Sequence, residues 1–208
     1  TLAPVTRSGE EGDPADYAIR EFRLIVFRTS DGSVAYNQFT SDLSASGTNP
    51  VVLDMMTGTY DFAFIANEGT GTDPTDMHTI LNNYRGGKTL SDLYGESFSS
   101  IAFSTGENIP MSIVIRNVKV LPAGIVEIEG SRIADGDWKI PLIRLGIRLD
   151  LKLSASHGLG VHFTGVEFKN VPDKVYLFSN TYNSANALTY EGTYEATSTH
   201  RVERSAMT

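Results

Sequence analysis

The sequence predicts a mostly β protein, and three observations indicate this class. Short runs rich in β-branched and aromatic residues recur along most of the 208 residues. Turn residues separate these runs at about the 8–12-residue spacing that is typical of β-sandwiches. Helical spacing of apolar residues is clear in one segment alone. Together these observations predict about ten strands and one or two short helices, in a β-sandwich architecture.

The first strands are predicted from the distribution of their apolar residues. Residues Glu21–Arg28 (EFRLIVFR) place apolar side chains on both faces, as in a strand that is buried on most of both sides. Turn residues at 30–33 (SDGS) lead to a returning strand, Val34–Phe39. In Thr59–Ala66 (TYDFAFIA) three aromatic residues share one face at a period of two, which predicts a core strand.

A short helix is predicted where the apolar period changes. Apolar residues in Met77–Tyr84 follow the spacing i, i+3, i+4, i+7. Asp73 is a favourable N-cap and Pro74 suits the first helical position, so we expect the helix to begin there. The glycine pair at 86–87 is expected to end it. A second short helix is predicted at Ser91–Tyr94.

Several strands are predicted in the remainder of the chain. The strictest alternation is at Ile143–Leu153, where branched apolar residues face one way and mostly charged residues face the other. This pattern predicts a strand with one face on a core and one in water. The other predicted strands are Ile101–Phe103, Met111–Val120, Gly124–Ile133, Val161–Phe168 and Lys174–Phe178, with a turn at 170–173 (NVPD).

Polar residues and Gly136 interrupt the strands at Asp135–Lys139, where we place a domain boundary. Residues 1–137 are predicted to form an N-terminal β-sandwich domain with a flexible N-terminal tail and one short helix. Residues 138–208 are predicted to start a second β-sandwich domain. Three or four strands are too few for a closed sandwich, so either the two parts form one domain or the second domain is incomplete, and we favour the incomplete second domain.

Composition argues against several function classes. The chain has 17 Lys and Arg against 25 Asp and Glu, a net charge of −8, which disfavours binding to nucleic acid or to anionic membranes. It has no cysteine, so disulfides and thiol chemistry are absent. No apolar run reaches the roughly 20 residues that span a bilayer. The chain also opens with a polar stretch rather than a leader-like apolar one, which is compatible with a mature form whose leader has been removed.

No convincing active site is found, so we expect a non-enzyme without cofactor or metal. There is no G-x-S-x-G nucleophile motif. Glu127 and Glu129 are predicted to share a strand face, which is more often a solvated surface than a calcium or glycosidase site. None of the histidines has metal-ligand spacing to another, and each is expected at the surface or at a strand edge: His78, His157, His162 and His200.

Three aromatic residues are candidate ligand platforms. Trp138, the single tryptophan, could stack on a sugar if exposed, although a core or interdomain anchor is the favoured interpretation. Tyr182 and Tyr190 stand among Asn and Ser and are the other candidates.

The order of several segments resembles the fimbrillins of Bacteroidetes, which are the major, minor and tip subunits of their fimbriae. The resemblance extends over about residues 6–180. Its segments are 18–27 (AIREFRLIVF) followed by a D-G pair at 31–32, 58–68 (GTYDFAFIANE), 109–112 (IPMS), and 143–153 followed by 163–166 (FTGV) and 170–172 (NVP).

The resemblance implies a pair of transthyretin-like β-sandwich domains, exported as a lipoprotein precursor to the outer membrane and the cell surface. It implies that an Arg-specific protease removes an N-terminal strand and that the vacated groove accepts a strand from a neighbouring fimbrial subunit. An open sheet edge is a template for such strand addition. Arg7 followed by Ser8 is then the candidate cleavage site, and Thr1–Val5 the end of the displaced strand. An ordinary surface arginine is the alternative interpretation of Arg7.

Two functions from different classes follow. The first is a structural or adhesive fimbrial subunit, assembled by strand exchange after proteolytic trimming. The alternative is a cell-surface lipoprotein module that binds glycans or host ligands through Trp138, Tyr182 or Tyr190.

Overall fold

A computed structural model describes residues 2–5, 18–41, 43, 53–98, 108–133, 140–145, 165–172, 175–178, 180–182, 188–190 and 197–203. Within these ranges the protein is mostly β, which confirms the predicted class. The strands are β1 (Leu2–Val5), β2 (Phe22–Arg28), β3 (Val34–Thr40), β4 (Gly58–Ala66), β5 (Ser97–Phe98), β6 (Met111–Val120), β7 (Val126–Ile128), β8 (Ser131–Ile133), β9 (Ile140–Arg144), β10 (Gly165–Pro172), β11 (Val175–Tyr176), β12 (Asn180–Tyr182), β13 (Leu188–Tyr190) and β14 (Thr197–Glu203). The helices are α1 (Met77–Asn82) and α2 (Leu90–Tyr94).

An eight-stranded sheet organises the described residues. Its main order is β1-β9-β6-β4-β2-β3, and β7 and β8 extend it from the end of β6. The pairings are antiparallel except for β1 with β9, which is parallel. Separate two-stranded ladders join β10 to β14, β5 to β11 and β12 to β13. The sheet therefore has β1 at one edge and β3 at the other.

The central strands are apolar on both faces because both faces are buried. The first face carries an aromatic core, built from Phe22, Leu24, Val26, Tyr60, Phe62, Phe64, Ala66, Met111, Ile113, Val118, Ile140 and Leu142. The opposite face carries a helix-side core, in which Ile25, Phe27, Ala63, Ile65, Met77, Leu81, Tyr84, Leu90, Leu93, Leu177 and Phe178 are buried. The predicted aromatic row of β4 lies in the first of these cores.

The first helix begins one turn later than predicted. Asp76 is its N-cap, whereas Asp73 accepts hydrogen bonds from the backbone and the hydroxyl of Thr75 and so closes a turn ahead of the helix. The helix also ends at Asn82, before the glycine pair. α2 forms close to its predicted place, and Thr89 and Asp92 give it a capping box.

The predicted strand Gly124–Ile133 is wrong, because this segment folds into a hairpin. A short 3-10 turn at Pro122–Gly124 leads into β7, and Glu129 and Gly130 then turn the chain into β8 with φ of 51° and 78°. Two successive positive φ angles are the geometry of a tight hairpin turn. Glu127 and Glu129 therefore do not share a strand face, and the paired-carboxylate interpretation fails.

The later strands differ from their predicted limits. β9 begins at Ile140, ahead of the predicted Ile143, and residues 146–153 lie outside the described residues. The predicted turn at 170–173 is wrong for residues 170–172, because β10 continues through Pro172 with a register shift after Phe168. The predicted strand Ile101–Phe103 lies outside the described residues.

Candidate functional site

The N-terminal edge of the sheet is formed by β1 on β9. Their parallel register runs from Leu2 opposite Ile140 to Val5 opposite Ile143. On its other side, β9 pairs with β6 through Met111 opposite Arg144 and Ser112 opposite Ile143, in the part of the chain that the structure describes. β1 therefore pairs with more of β9 than β6 does.

The strand that β1 covers contributes directly to the aromatic core. Ile140 and Leu142 of β9 are both buried there. Parallel pairing is slightly weaker per residue than antiparallel pairing, and a four-residue edge strand forms few hydrogen bonds. Removing β1 would consequently leave an unpaired backbone edge beside apolar side chains.

The structure describes only some of the residues that were predicted as sites. Arg7, Ser8 and Trp138 lie outside the described residues, as do His157 and His162. Tyr182 in β12 and Tyr190 in β13 belong to neighbouring strands, where Tyr182 pairs with Leu188 and Tyr190 with Asn180. The cleavage site and the ligand platforms therefore stay predictions.

A junction around Asn67 joins the approach to β2 with the ends of β4 and β6. The Asn67 side-chain amide donates to the carbonyl oxygens of Ala18 (2.8 Å) and Ile109 (3.1 Å). Its side-chain oxygen accepts from the backbone N–H of Arg20 (3.0 Å), and its own N–H donates to the carbonyl of Glu21 (3.1 Å). We call this arrangement the Asn67 junction.

Asparagine suits position 67 for two reasons. Its φ is 59°, in the left-handed region that asparagine tolerates better than most residues. Its short carboxamide carries both a donor and an acceptor, so one side chain satisfies backbone groups of both kinds. With 4% of Asn67 exposed, these groups would otherwise be buried without partners.

Next to this junction, Arg23 and Glu68 form a buried ion pair that the sequence did not predict. Arg23 is 2% exposed and faces the helix side from β2. Its Nε donates to Glu68 Oε2 (2.8 Å) and its Nη2 to Glu68 Oε1 (2.7 Å), a bidentate contact. Further bonds reach Asn37 Oδ1 (2.7 Å) in β3 and Asn82 Oδ1 (2.8 Å) in α1. The ion pair thus fastens α1 to the sheet.

His78 belongs to this network, which corrects its expected place at the surface. Its side chain is 18% exposed, and its Nδ1 lies 2.9 Å from Glu68 Oε1. The ring of Phe39 packs edge-on against His78 and lies under the Arg23 guanidinium. Burial raises the pKa of the Glu68 carboxyl, while the hydrogen bonds from Arg23 and then His78 act in the opposite direction.

Asn37 extends this network from β3 to the end of α1. Asn37 donates to the carbonyls of Leu81 and Tyr84, at the end of α1 and just past it, and the Leu81 carbonyl also accepts from the N–H of Tyr84. A cleft of about 400 Å³ opens between β3 and this helix end, and Arg23 and Phe39 contribute to its wall. Among the described residues no three His, Cys, Asp or Glu side chains cluster as metal ligands.

At Tyr84, in contrast to Glu68, burial and hydrogen bonding shift the pKa in the same direction. Burial, together with a hydrogen bond to Glu96, raises the pKa of its phenol. Tyr84 thus remains neutral and anchors the segment between the helices. In the described ranges no helix has both the length and the apolar character needed to cross a membrane.

Two solved structures of low sequence identity are similar to this chain. The tip fimbrial protein Mfa3 from Porphyromonas gingivalis, with a C-terminal truncation, has 17% identity and a TM-score of 0.49, over 91% of this chain and 60% of its own. A fimbrial assembly protein from Parabacteroides distasonis has 11% identity and a TM-score of 0.49, over 97% of this chain and 74% of its own. The chain thus spans 60% of the length of the tip protein.

No curated protein matches the sequence. The sequence model of the family described as major fimbrial subunit protein (FimA) matches residues 2–138. This match includes β1, the Asn67 junction and the Arg23–Glu68 pair, and it extends over more than half of the chain. The chain is therefore a member of the FimA major fimbrial subunit family, as its resemblance to the fimbrillins implied.

Proposed function

We propose that this chain is a structural subunit of a bacterial fimbria, assembled by strand exchange after cleavage between Arg7 and Ser8. The observation that carries the proposal is β1, a four-residue edge strand that precedes Arg7 and covers β9. Cleavage would cut the covalent link between β1 and the rest of the sheet. The dissociation of β1 then opens the edge of β9 to a strand from another subunit.

The edge is suited to accept a replacement strand. Ile140 and Leu142 are already buried on one face of β9, so an incoming strand would restore backbone pairing beside an existing core. Main-chain hydrogen bonds would supply affinity, and alternate side chains would supply selectivity. The proposal requires no enzyme activity and no cofactor.

We further propose the finer organisation that the family resemblance implies. The two parts, 1–137 and 138–208, are transthyretin-like sandwich domains, and the precursor is a lipoprotein of the outer membrane that supplies subunits to a cell-surface fimbria. The family match over residues 2–138 supports the first of these two parts as a unit. Contacts of β9 and residues 175–178 with the first sheet would make the two parts a tightly packed pair.

Limited digestion with an Arg-specific protease tests the proposal. We expect a cut after Arg7, loss of amide protection across Ile140–Arg144 in hydrogen exchange of the trimmed monomer, and species larger than a monomer in size-exclusion chromatography, in which a donated strand restores that protection. The matched control is Arg7→Lys, which retains the charge but removes the cleavage site. A trimmed chain that remains a monomer with unchanged protection in β9 would overturn the strand-exchange proposal.

A further inference from the structure

We propose that Asn67 determines where trimming stops, because it shields the Arg20–Glu21 peptide bond from the protease that cuts after Arg7. The inference rests on the proposed function and adds a specificity-determining residue to it. Asn67 acts through the backbone that it holds and takes no part in the cleavage reaction.

Arg20 presents a problem for any Arg-specific trimming. It is exposed, and it is the next arginine after Arg7 in the sequence. A cut after Arg20 would leave a chain beginning at Glu21, directly before the first residue of the central strand β2. Arg23, the arginine that follows, is protected by burial, whereas Arg20 has no such protection.

The Asn67 junction engages the backbone on both sides of the Arg20–Glu21 bond. On the N-terminal side, Asn67 binds the carbonyl of Ala18 and the N–H of Arg20. On the C-terminal side, it binds the carbonyl of Glu21. Proteases commonly bind a substrate in an extended conformation through its backbone N–H and carbonyl groups. A protease can reach the bond only after these hydrogen bonds have opened.

The junction is itself anchored to the central strands of the sheet. Asn67 directly follows β4, a central strand, and also bonds the carbonyl of Ile109 just ahead of β6. The adjacent Glu68 is fixed by its bidentate contact with Arg23. Opening of the Arg20 segment therefore requires breaking bonds to the sheet centre rather than the fraying of a free end.

Two variants of Asn67 distinguish the contribution of its side-chain hydrogen bonds from that of its backbone conformation. Asn67→Gly retains a residue suited to positive φ and removes every side-chain hydrogen bond. Asn67→Asp retains the acceptor for Arg20 and loses the amide donor to Ala18 and Ile109. The matched control is Asn117→Gly, since Asn117 also has a positive φ (57°) but lies in β6 and contacts Asp61.

The experiment is a timed Arg-specific digestion of the full chain, read by intact mass spectrometry. In the wild type we expect the cut after Arg7 and persistence of the Arg20–Glu21 bond. In Asn67→Gly the peptide Ser8–Arg20 and a chain beginning at Glu21 should accumulate at least about tenfold faster, since several hydrogen bonds that oppose local opening are lost. Asn67→Asp should lie between the two.

The possible outcomes distinguish protection of the Arg20–Glu21 bond by Asn67 from general destabilisation of the protein. An intact Arg20–Glu21 bond in Asn67→Gly overturns the inference. Equal acceleration in Asn117→Gly, or equal acceleration at the exposed Arg85–Gly86 bond in Asn67→Gly, also overturns it, because general destabilisation would then explain the result. One further outcome is cleavage after Arg20 in Asn67→Gly together with no cleavage after Arg7 in any variant. This outcome supports the protection of Arg20 by Asn67 and overturns the proposed trimming at Arg7.

Discussion

Arg23 carries a positive charge into the helix-side face of the sheet, where the carboxylate of Glu68 is its counter-charge. We expect Glu68→Gln to lower the free energy of unfolding by about 3–5 kcal/mol, because it leaves a buried guanidinium without an opposite charge. Urea denaturation monitored by circular dichroism at neutral pH measures this change.

The control for this prediction is an ion pair in which the cation is exposed and only the carboxylate, that of Asp61, is buried. The Arg116 side chain is 60% exposed and lies 3.5 Å from Asp61. Arg116→Gln should cost less than about 1 kcal/mol, because solvent screens the exposed guanidinium and Asp61 keeps its hydrogen bond from the Asn117 N–H. A loss of similar size in both variants would contradict the importance of burial for Arg23 and Glu68.

At the residue scale, the sequence indicated that Arg23 needs a partner, but it did not identify Glu68 as that partner. Arg23 lies between Phe22 and Leu24, in a strand that was correctly predicted to be buried on both sides. A charge at such a position requires a partner. Glu68 could not be identified as that partner, because the contact joins residues 45 positions apart and depends on the register of β2 against β4.

Among the elements, the β7–β8 hairpin contains a residue in an unfavourable conformation. Glu129 has a φ of 51° in a turn whose geometry favours Asn-Gly. Glu129→Asn should therefore raise the free energy of unfolding by about 0.5–1 kcal/mol, which thermal denaturation can measure.

The control is the same Glu-to-Asn substitution at a position within a strand. Glu127 lies within β7, where Asn is disfavoured, so Glu127→Asn should give no stabilisation. A gain in both variants would indicate a general effect of removing negative charge from an acidic protein, and would contradict the turn explanation.

The elements were predictable where local pattern determines them. Alternation and apolar runs identified β2, β3, β4 and β6, whose side chains pack on the two cores. The hairpin was missed because Glu-Gly is not a standard turn pair, and the start of α1 was misplaced because Asp73 closes a turn. The parallel pairing of β1 with β9 joins distant segments, so no local pattern could indicate it.

At the scale of the whole molecule, a segment from the last part of the chain completes the helix-side core. Residues 174–178 were predicted as a strand of a second domain. In the structure, the Leu177 side chain is fully buried, and the Leu177 N–H donates to the carbonyl of Glu96 at 2.9 Å. Its carbonyl accepts from the hydroxyl of Ser112 in β6, while β11 pairs with β5. The core next to α2 therefore depends on residues 175–178, which lie far from α2 in the sequence.

This dependence predicts the effect of Leu177→Ala. The variant should lower the free energy of unfolding by about 2–5 kcal/mol, because it leaves a cavity in a fully buried site. It should also reduce hydrogen-exchange protection in α2 and β5, since both lose packing or pairing when residues 175–178 loosen.

Val175→Ala is the matched control, because Val175 is half-buried in the same segment and its truncation removes fewer carbon atoms than Leu177→Ala does. Its cost should stay below about 2 kcal/mol, with smaller changes in α2. If residues 175–178 instead belonged to a domain that folds independently of the first sheet, Leu177→Ala would leave the protection of α2 and β5 unchanged. Hydrogen exchange in the two variants therefore decides whether the two parts of the chain unfold as one cooperative unit around this core.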